Sequence, residues 1–507
     1  MAKPFHALLA ESLKQAKQLA RYNIIRSGDL RRVDRERLLK ADALQKIVNG
    51  WYMLCRPHTD PGETTMWYAS YWDFFQLYLE DRFGEAYCLS AQASMDIHLG
   101  KNFLPKQVTV MVKSGGGSLL SLPHGHSLLL YQEENNFPSD IEKKNRLNVL
   151  PFEYAFCKVQ RNFFSNQTQD TIIALILLES ADKILIPLLK HGMVSSAERI
   201  VGGLRHIGND SVADMIHQSM EAAGFTLKEE NPFKKEISIP SFPVFKSPYS
   251  ARIETLWANT REVVAGVFSK EQRKVKDKKT LFKEMEDKYK YDAYHSLSIE
   301  GYQVTEELIE KIATGKWRPD ENTKDWEQRN AMAAKGYFEA FQAVKSSVGD
   351  ILTVKDAVVI LQKDYPRWYL ALFSPSVTAG ILSAEQLAGF RQHPVYLRGA
   401  THVPPPYTAV RDCIGTLFNC LEKEESGIVK AILIHWLVGF IHPYMDGNGR
   451  MARFMMNALL VSQGYPWTIV QVGNRERYLQ ALERASVDGD ITLFAHLILE
   501  EMQQIYK

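Results

Sequence analysis

Cysteine is scarce in this chain. Among 507 residues there are five, Cys55, Cys88, Cys157, Cys413 and Cys420, odd in number and far apart. No CxxC pair occurs, so the spacing excludes a disulfide framework and a zinc ribbon and fits a reducing, cytoplasmic setting. An excess of charge of one sign is also missing. Lys and Arg number 61 against 59 Asp and Glu, a formal net charge of +2. That argues against a chain that binds polyanions over its whole surface, but leaves room for a local basic patch. Long apolar runs are absent too. The longest, 172–178, ends at Glu179, far short of the roughly 20 residues of a membrane span. The first apolar stretch, 5–10, is interrupted by His6 and followed by Glu11 and Lys14, unlike a secretory leader. What remains, 45% hydrophobic and 24% charged residues without repeats or low-complexity tracts, is the composition of a folded chain of two large or about three ordinary domains.

The clearest seam is 228–250, where Pro232, Pro240, Pro243 and Pro248 lie among charges and serines. Such a stretch disfavours regular helix and reads as a linker, with the main boundary near residue 245. Before it the pattern is mixed. An amphipathic helix is expected over 7–22, and strands over 108–112, 128–131 and 152–159, which are β-branched or aromatic-rich between turn residues. Helical spacing returns over 168–222, with breaks expected at Pro187 and at Gly202–Gly203. After the seam, apolar residues recur at helical spacing in 252–268, 281–294, 306–313, 326–346, 354–362, 407–421, 428–441, 451–463 and 475–484. The exception is 396–406, whose Gly399 and Pro404, Pro405 and Pro406 favour an extended loop or a short hairpin.

The most informative stretch is 428–453, IVKAILIHWLVGFIHPYMDGNGRMAR. It reads as an apolar helix stopped by Pro443, a loop with two glycines, and a second apolar helix. Gly447 and Gly449 let backbone approach an anion, and the N–H groups opening the second helix point toward such a ligand. Arg450 and Arg453 lie three apart, on one side of that helix's first turn, where they can clamp two phosphates. Asp446 offers oxygen to Mg²⁺, and His442 titrates near neutrality, as a general base should. Each residue alone is also compatible with helix punctuation or surface charge.

Together, His442-Pro443-Tyr444-Met445-Asp446-Gly447-Asn448-Gly449-Arg450-Met451-Ala452-Arg453 resembles the signature of the Fic (filamentation induced by cAMP) family, HPFx[DE]GNGRxxR, with Tyr444 in place of the usual Phe. The resemblance implies transfer of AMP from ATP to a protein hydroxyl. It makes His442 the base that deprotonates the acceptor and Asp446 the ligand of Mg²⁺. Gly447, Asn448 and Gly449 then hold the α- and β-phosphates, Arg450 the β-phosphate side and Arg453 the γ-phosphate. Upstream, 395–405 is similar to the family's target-docking flap, which implies that Gly399, Thr401, His402 and Val403 form an edge able to add a target strand; an ordinary Pro-rich loop is the other reading. Downstream, 464–466 and 475–482 look like the nucleoside-side segment, with Tyr478 against the base or simply in the core, and Leu479 where many relatives have a second Tyr. Many members also carry an inhibitory helix, [ST]xxxE[GN], whose Glu pairs with the second motif arginine. Ser296 to Gly301 (SLSIEG) matches, as does Thr226 to Asn231 (TLKEEN). The helical run before Ser296 favours Ser296 and Glu300 as the inhibitory residues.

Residues 14–46 carry ten Lys and Arg, among them Lys14, Lys17, Arg21, Lys40 and Lys46, against four acids. A helix to Asn23, a short helix from Ser27, a third from Asp34 and a wing turning at Gly50 into 51–54 make a winged-helix order. With the mixed region to about 225, this resembles type IV abortive-infection antitoxins and implies DNA contact through residues 14–54; a solvated basic face or a protein-docking module explains the same charges. His124 and His126 lack the carboxylate or Cys companions of a metal site.

The expected fold class is mainly α: a C-terminal all-helical core with a short β-hairpin flap, preceded by a winged helix and a small α/β domain. The expected domains are 1–60 (winged helix), 61–227 (mixed α/β), 228–250 (linker) and 251–507 (Fic domain, inhibitory helix near 285–301). The expected function is a cytoplasmic protein adenylyltransferase using ATP as co-substrate and Mg²⁺, restrained by Glu300. Its partners are a target protein with an acceptor hydroxyl, this chain included, then DNA through 14–54 and a second copy as a homodimer, with no membrane. The alternatives are a DNA-binding regulator with a nucleotide-sensing Fic core, and a deAMPylase.

Overall fold

The computed structural model describes residues 5–55, 64–178, 180–233, 247–274, 277–318, 325–354 and 356–504. The chain forms two compact units, Met1–Glu236 with Tyr396–Val403, and Ile237–Val395 with Pro404–Lys507.

In the first unit, α1 (Phe5–Leu19), β1 (Ile24–Arg26), α2 (Arg32–Lys40), β2 (Leu44–Val48) and β3 (Trp51–Leu54) enclose a small core of Ala16, Ile25, Leu38, Leu44 and Leu54. Their antiparallel sheet has the order β1-β3-β2. Buried Asp34 joins the two helices, accepting from Ser12 Oγ at 2.7 Å and Arg37 Nη1 at 3.0 Å. The short helix expected from Ser27 is absent. There the Asp29 N–H donates to the Arg26 carbonyl at 3.1 Å, and Asp29 Oδ2 accepts from the Arg26 N–H at 3.3 Å. Such a local Asp bond favours a turn over a helix. Of the ten basic residues, Arg26, Arg31, Arg32, Arg35 and Arg37 hold acids or a carbonyl of this same unit.

Next, α3 (Thr65–Phe83) packs Trp67, Tyr71, Phe74 and Phe75 into a core shared with a mixed sheet. That sheet, β4 (Tyr87–Leu89), β5 (Gln107–Val112), β6 (Ser118–Ser121) and β7 (Ser127–Gln132), has the order β4-β5-β7-β6, with β5 and β7 parallel. Helix α4 (Ala91–His98) follows β4 in the chain, and β8 (Glu142–Lys144) pairs with β9 (Leu147–Val149). The strands expected over 108–112 and 128–131 are β5 and β7. The one expected over 152–159 is instead α5 (Phe152–Lys158). Its aromatic richness suggested a strand, but Ala155 and Phe156 lie three and four residues beyond Phe152, on one helical face, and Pro151 stands at its N-cap. Helices α6 (Arg161–Asn166), α7 (Thr168–Ile176), α8 (Asp182–Lys190), α9 (Val194–His206) and α10 (Asp210–Ala222) complete the run. Pro187 and Gly202–Gly203 fall inside α8 and α9 and do not break them. A Cβ on Gly202 would collide with the Glu230 carbonyl, so close approach, not a turn, accounts for that glycine.

Of the segment 228–250, residues 228–233 pack on the first unit, with Phe233 buried and the Glu230 N–H on the Glu198 carbonyl at 3.3 Å. Residues 234–246 lie outside the described residues, and Pro248 opens a helix capped by Ser247 Oγ.

The second unit is built from α11 (Pro248–Val267), α12 (Lys278–Ile299), α13 (Glu306–Ala313), α14 (Asp325–Val354), α15 (Ala357–Thr378), α16 (Val410–Lys423), α17 (Gly427–Ile441), α18 (Asn448–Ser462), α19 (Arg475–Asp488) and α20 (Thr492–Gln503). Helix α17 is apolar on every side and buried on every side, with α11, α16, α18 and α19 around it, as expected of a central core helix. Helix α15 runs well past 362, through Pro366 and Pro375, because Trp368, Tyr369, Leu372 and Phe373 bury one face. Among the described residues, no helix is long and apolar enough to cross a membrane.

Candidate active site

Pro443 cannot continue α17, and the chain turns at His442 with φ 51° and ψ 60°, the left-handed region. That conformation is costly for a residue with a Cβ. It leaves the imidazole partly exposed at the end of an otherwise buried helix. Nδ1 lies 3.4 Å from the Gly439 carbonyl. A proton on Nδ1 can be donated there, which leaves Nε2 as the acceptor nitrogen. Burial pushes the imidazole down to about 4; the Gly439 carbonyl opposes that shift and the Arg391 cation adds to it. The ring is therefore neutral, and able to take a proton, throughout the physiological range.

The loop that follows is tightly specified. Tyr444 is buried and stacks on Tyr369 with centroids 3.9 Å apart, so an aromatic ring is what the position requires. Asn448 Oδ1 accepts from the Tyr444 N–H at 2.9 Å, and its Nδ2 donates to the Tyr444 carbonyl at 2.8 Å. The amide is thereby spent on closing the loop, and Asn448 offers an anion its backbone N–H rather than its side chain. Gly447, with φ +85°, starts α18, and a Cβ there would stand 2.7 Å from Phe373 Cε2. Only glycine meets both demands. Asp446 Oδ1 accepts from the Gly447 N–H at 2.6 Å and from Arg450 Nη2 at 3.0 Å. The carboxylate is about half exposed.

Arg450 and Arg453 are both buried on the first turns of α18. The Arg450 guanidinium lies 5.2 Å from the Tyr302 ring and 5.0 Å from the Phe373 ring, and its Nε has no partner among the described residues. Burial alone would lower its basicity, but Asp446, Tyr302 and Glu300 more than compensate. Arg453 makes four hydrogen bonds. Nε donates to Ser296 Oγ at 2.8 Å, Nη2 to the Ser296 carbonyl at 3.2 Å and to Glu300 Oε1 at 2.6 Å, and Nη1 to Tyr478 Oη at 3.5 Å. Glu300 ends α12, where Arg475 Nε donates to the Ile299 carbonyl at 2.8 Å. Its carboxylate reaches the start of α18 so closely that a Cβ on Gly449 would strike Oε1. A negative charge is thus already seated where helix N–H groups and an arginine converge.

Residues 372–460, from within α15 to near the end of α18, match the model of the Fic/DOC family. That segment is a Fic domain. Among curated relatives, a protein adenylyltransferase Fic of Culex quinquefasciatus is 28% identical over 211 residues, 41% of this chain and 39% of the relative. A probable protein adenylyltransferase of Aquifex aeolicus is 39% identical over 111 residues, 22% of this chain and 34% of the relative. The chain thus spans well under half the length of these relatives. Among solved structures, Fic-1 of C. elegans (residues 134–508) covers 69% of this chain and 93% of its own, at 17% identity and a TM-score of 0.36.

The Fic domain brings His442, Asp446, Gly447, Asn448, Gly449, Arg450 and Arg453 together, and Ser296 and Glu300 meet it from α12. One open choice narrows and one expectation is corrected. Of the two readings of Tyr478, the core one fits: it is buried against Phe494, with its hydroxyl 2.8 Å from His435 Nε2 and toward Arg453, so it backs the arginine. Leu479, next to it, is exposed. The flap is not a hairpin. Gly399 makes a turn at φ +72°, His402 forms an isolated bridge with Phe103, and the Val403 N–H donates to the Asn102 carbonyl at 2.6 Å. His402 is buried and its Nδ1 lies 3.3 Å from Asn102 Nδ2. The prolines that follow have no N–H for a second ladder strand, and the pairing falls to the first unit. Thr401, between them, is half-buried. The other inhibitory-pattern match, 226–231, lies in the first unit, where Glu230 pairs with Arg161.

Sequence reading missed Tyr302 and Phe373 around Arg450, and it missed Arg391, which touches the His442 carbonyl. None of the three carries a local signal. A cleft of about 580 Å³ lined by Glu300, Tyr302, Trp326, Arg329, Asn330 and Asp446 opens beside the loop.

Proposed function

We propose that the chain transfers AMP from ATP to a hydroxyl of a target protein, and that Glu300 restrains it. The observation that carries the reading is an imidazole presented by the left-handed turn at the end of α17, beside a helix N-terminus whose second arginine is held by Glu300. In the reaction the acceptor oxygen bonds to the α-phosphorus of ATP, the bond from that phosphorus to the β-phosphate oxygen breaks, and pyrophosphate leaves. His442 Nε2 takes the acceptor's proton as the new bond forms. The N–H groups opening α18 and the Arg450 guanidinium, with its unpartnered Nε, stabilise phosphate charge in a dry, preorganised site. Two aromatic faces confine that guanidinium, so it meets the substrate already oriented.

Asp446 fits Mg²⁺ in one way only. Its Oδ1 is committed to Gly447 and Arg450, its carboxylate is half exposed, and among the described residues no three His, Cys, Asp or Glu side chains gather into a metal cage. One carboxylate plus substrate phosphates and water is a usual Mg²⁺ setting. When bound there, the ion supplies charge neutralisation to the phosphates.

Restraint follows from occupancy. Arg453 is almost wholly buried, and its Nη2 donates to the partly exposed Glu300 carboxylate. A γ-phosphate needs the same nitrogen, so closure by Glu300 and productive triphosphate placement compete. Incubation of the Glu300→Gly variant with ATP and cell lysate, followed by mass spectrometry, tests the reading. Peptides carrying an added AMP on Ser, Thr or Tyr are expected, on this chain as well as on targets; their absence under all conditions would remove the reading.

A further inference from the structure

Arg391 lies in coil 51 residues before His442, yet it is only 2% exposed. Among the described residues no carboxylate pairs with it. Its guanidinium is instead fanned over main-chain carbonyls. Nε donates to His442 at 2.8 Å, Nη1 to His393 at 3.2 Å, and Nη2 to Ile441 at 3.4 Å and to Pro405. Its own N–H donates to the Pro443 carbonyl at 2.9 Å. Burial lowers this guanidinium to about 10, so it remains a cation at neutral pH.

Burying a cation without a counter-ion is expensive. Here the offset is specific. The Ile441 and His442 carbonyls sit at the C-terminus of α17, where helix carbonyls lack partners and the helix dipole is negative. Pro443 prevents those carbonyls from being used by further helix. One planar donor group satisfies them and also grips Pro405, at the end of the flap segment. A lysine has a single ammonium and cannot span the same fan.

We propose that Arg391 is the positioning residue of the base: it holds the left-handed turn at His442 that presents the imidazole, and fastens that turn to Pro405. The assignment rests on the transferase reading for its kinetic consequence, but not for its structural one. The cation also acts on the ring it positions. The charged groups facing the His442 imidazole are Arg391, which disfavours the imidazolium, and Glu300 and Asp446, which favour it. Removing Arg391 therefore raises the imidazole's basicity as well as loosening its placement.

The test uses the full chain with ¹³C-labelled histidine, comparing the NMR titration of His442 in wild type, Arg391→Met and Arg391→Lys. Turnover is measured in parallel in a Glu300→Gly background. For Arg391→Met, the titration midpoint of His442 moves to higher pH. Its kcat falls about 10- to 100-fold, as a displaced base requires, and KM for ATP changes less than about twofold, because the phosphate-binding residues are untouched. Arg391→Lys keeps the midpoint near wild type and loses a smaller part of kcat. A wild-type midpoint together with wild-type kcat in Arg391→Met overturns the proposal. So does a kcat loss accompanied by a rise in KM and an unmoved midpoint, which is the mark of general disruption. If Arg391→Met does not fold, Arg391→Lys decides, and full wild-type kcat in that variant is the contradicting result. If no variant transfers AMP at all, the transferase reading fails, while the His442 titration still settles the role of Arg391.

Discussion

The two arginines of α18 sit one turn apart and are in opposite states. Arg450, on the loop side, is buried between two rings, pairs with a half-exposed Asp446 and keeps an unpartnered Nε. Arg453, on the α12 side, is satisfied by Ser296, Glu300 and Tyr478. On the loop side the imidazole is already neutral and its tautomer directed; on the other a carboxylate fills the anion position. If the chain transfers AMP as proposed, the difference means that the base and Arg450 are preassembled while the Arg453–Glu300 ion pair exerts restraint, so that reactivity and restraint are separable by single substitutions.

The sharpest way to break that contrast is to remove the base. His442→Ala in a Glu300→Gly background should lose about 10²- to 10⁴-fold in AMP transfer, the usual worth of a general base, measured with labelled ATP. The same background should show an acid limb of the pH–rate profile well below pH 6.5, because the imidazole is pushed down to about 4. Activity is lost only as pH falls through that value and the ring protonates. A limb near 6.5 would mean that water reaching the partly exposed ring cancels the effect of its buried side.

Gly447→Ala attacks the loop's geometry. A side chain at φ +85° that meets Phe373 should destabilise the second unit by about 2 kcal/mol, seen as a lowered denaturant midpoint. On the restraining side, Glu300→Gly should raise auto-AMPylation about tenfold, equivalent to one charge-assisted hydrogen bond of about 1.5 kcal/mol. Ser296→Ala removes the Oγ that orients Arg453 but leaves Glu300 in place. Its rise should be smaller, about two- to fivefold, because the Ser296 carbonyl and Glu300 still hold the guanidinium. A larger effect from Ser296→Ala than from Glu300→Gly would relocate the restraint.

How far all this was legible in the chain depended on whether the information was local. Contiguity made the site readable: the residues from His442 to Arg453 are consecutive, and two helix ends bring them together without help from distant segments. The meeting of Ser296 and Glu300 with Arg453 was foreshadowed by their four-residue spacing together with the helical run before them, since the spacing alone also occurs at 226–231. Tyr478 stayed open between two readings because an aromatic at helical spacing looks the same whether it lines a ligand or a core. The flap was misread because its partner, Asn102–Phe103, lies some 300 residues away. Arg391 left no mark at all: a single arginine in coil has no periodicity, and its worth comes from carbonyls that only the folded chain assembles. Helix α15 passed through Pro366 and Pro375 because burial of Trp368 and Phe373 outweighed local propensity, a tertiary effect that no window reading can weigh.

Competition of Glu300 and the triphosphate for Arg453, with His442 as the base, is read out on one gel of wild type, Glu300→Gly and Glu300→Gly/His442→Ala incubated with α-³²P-labelled ATP. Faint label, strong label and none are expected in that order. Equal label in the first two lanes, or label that persists in the third, would contradict it.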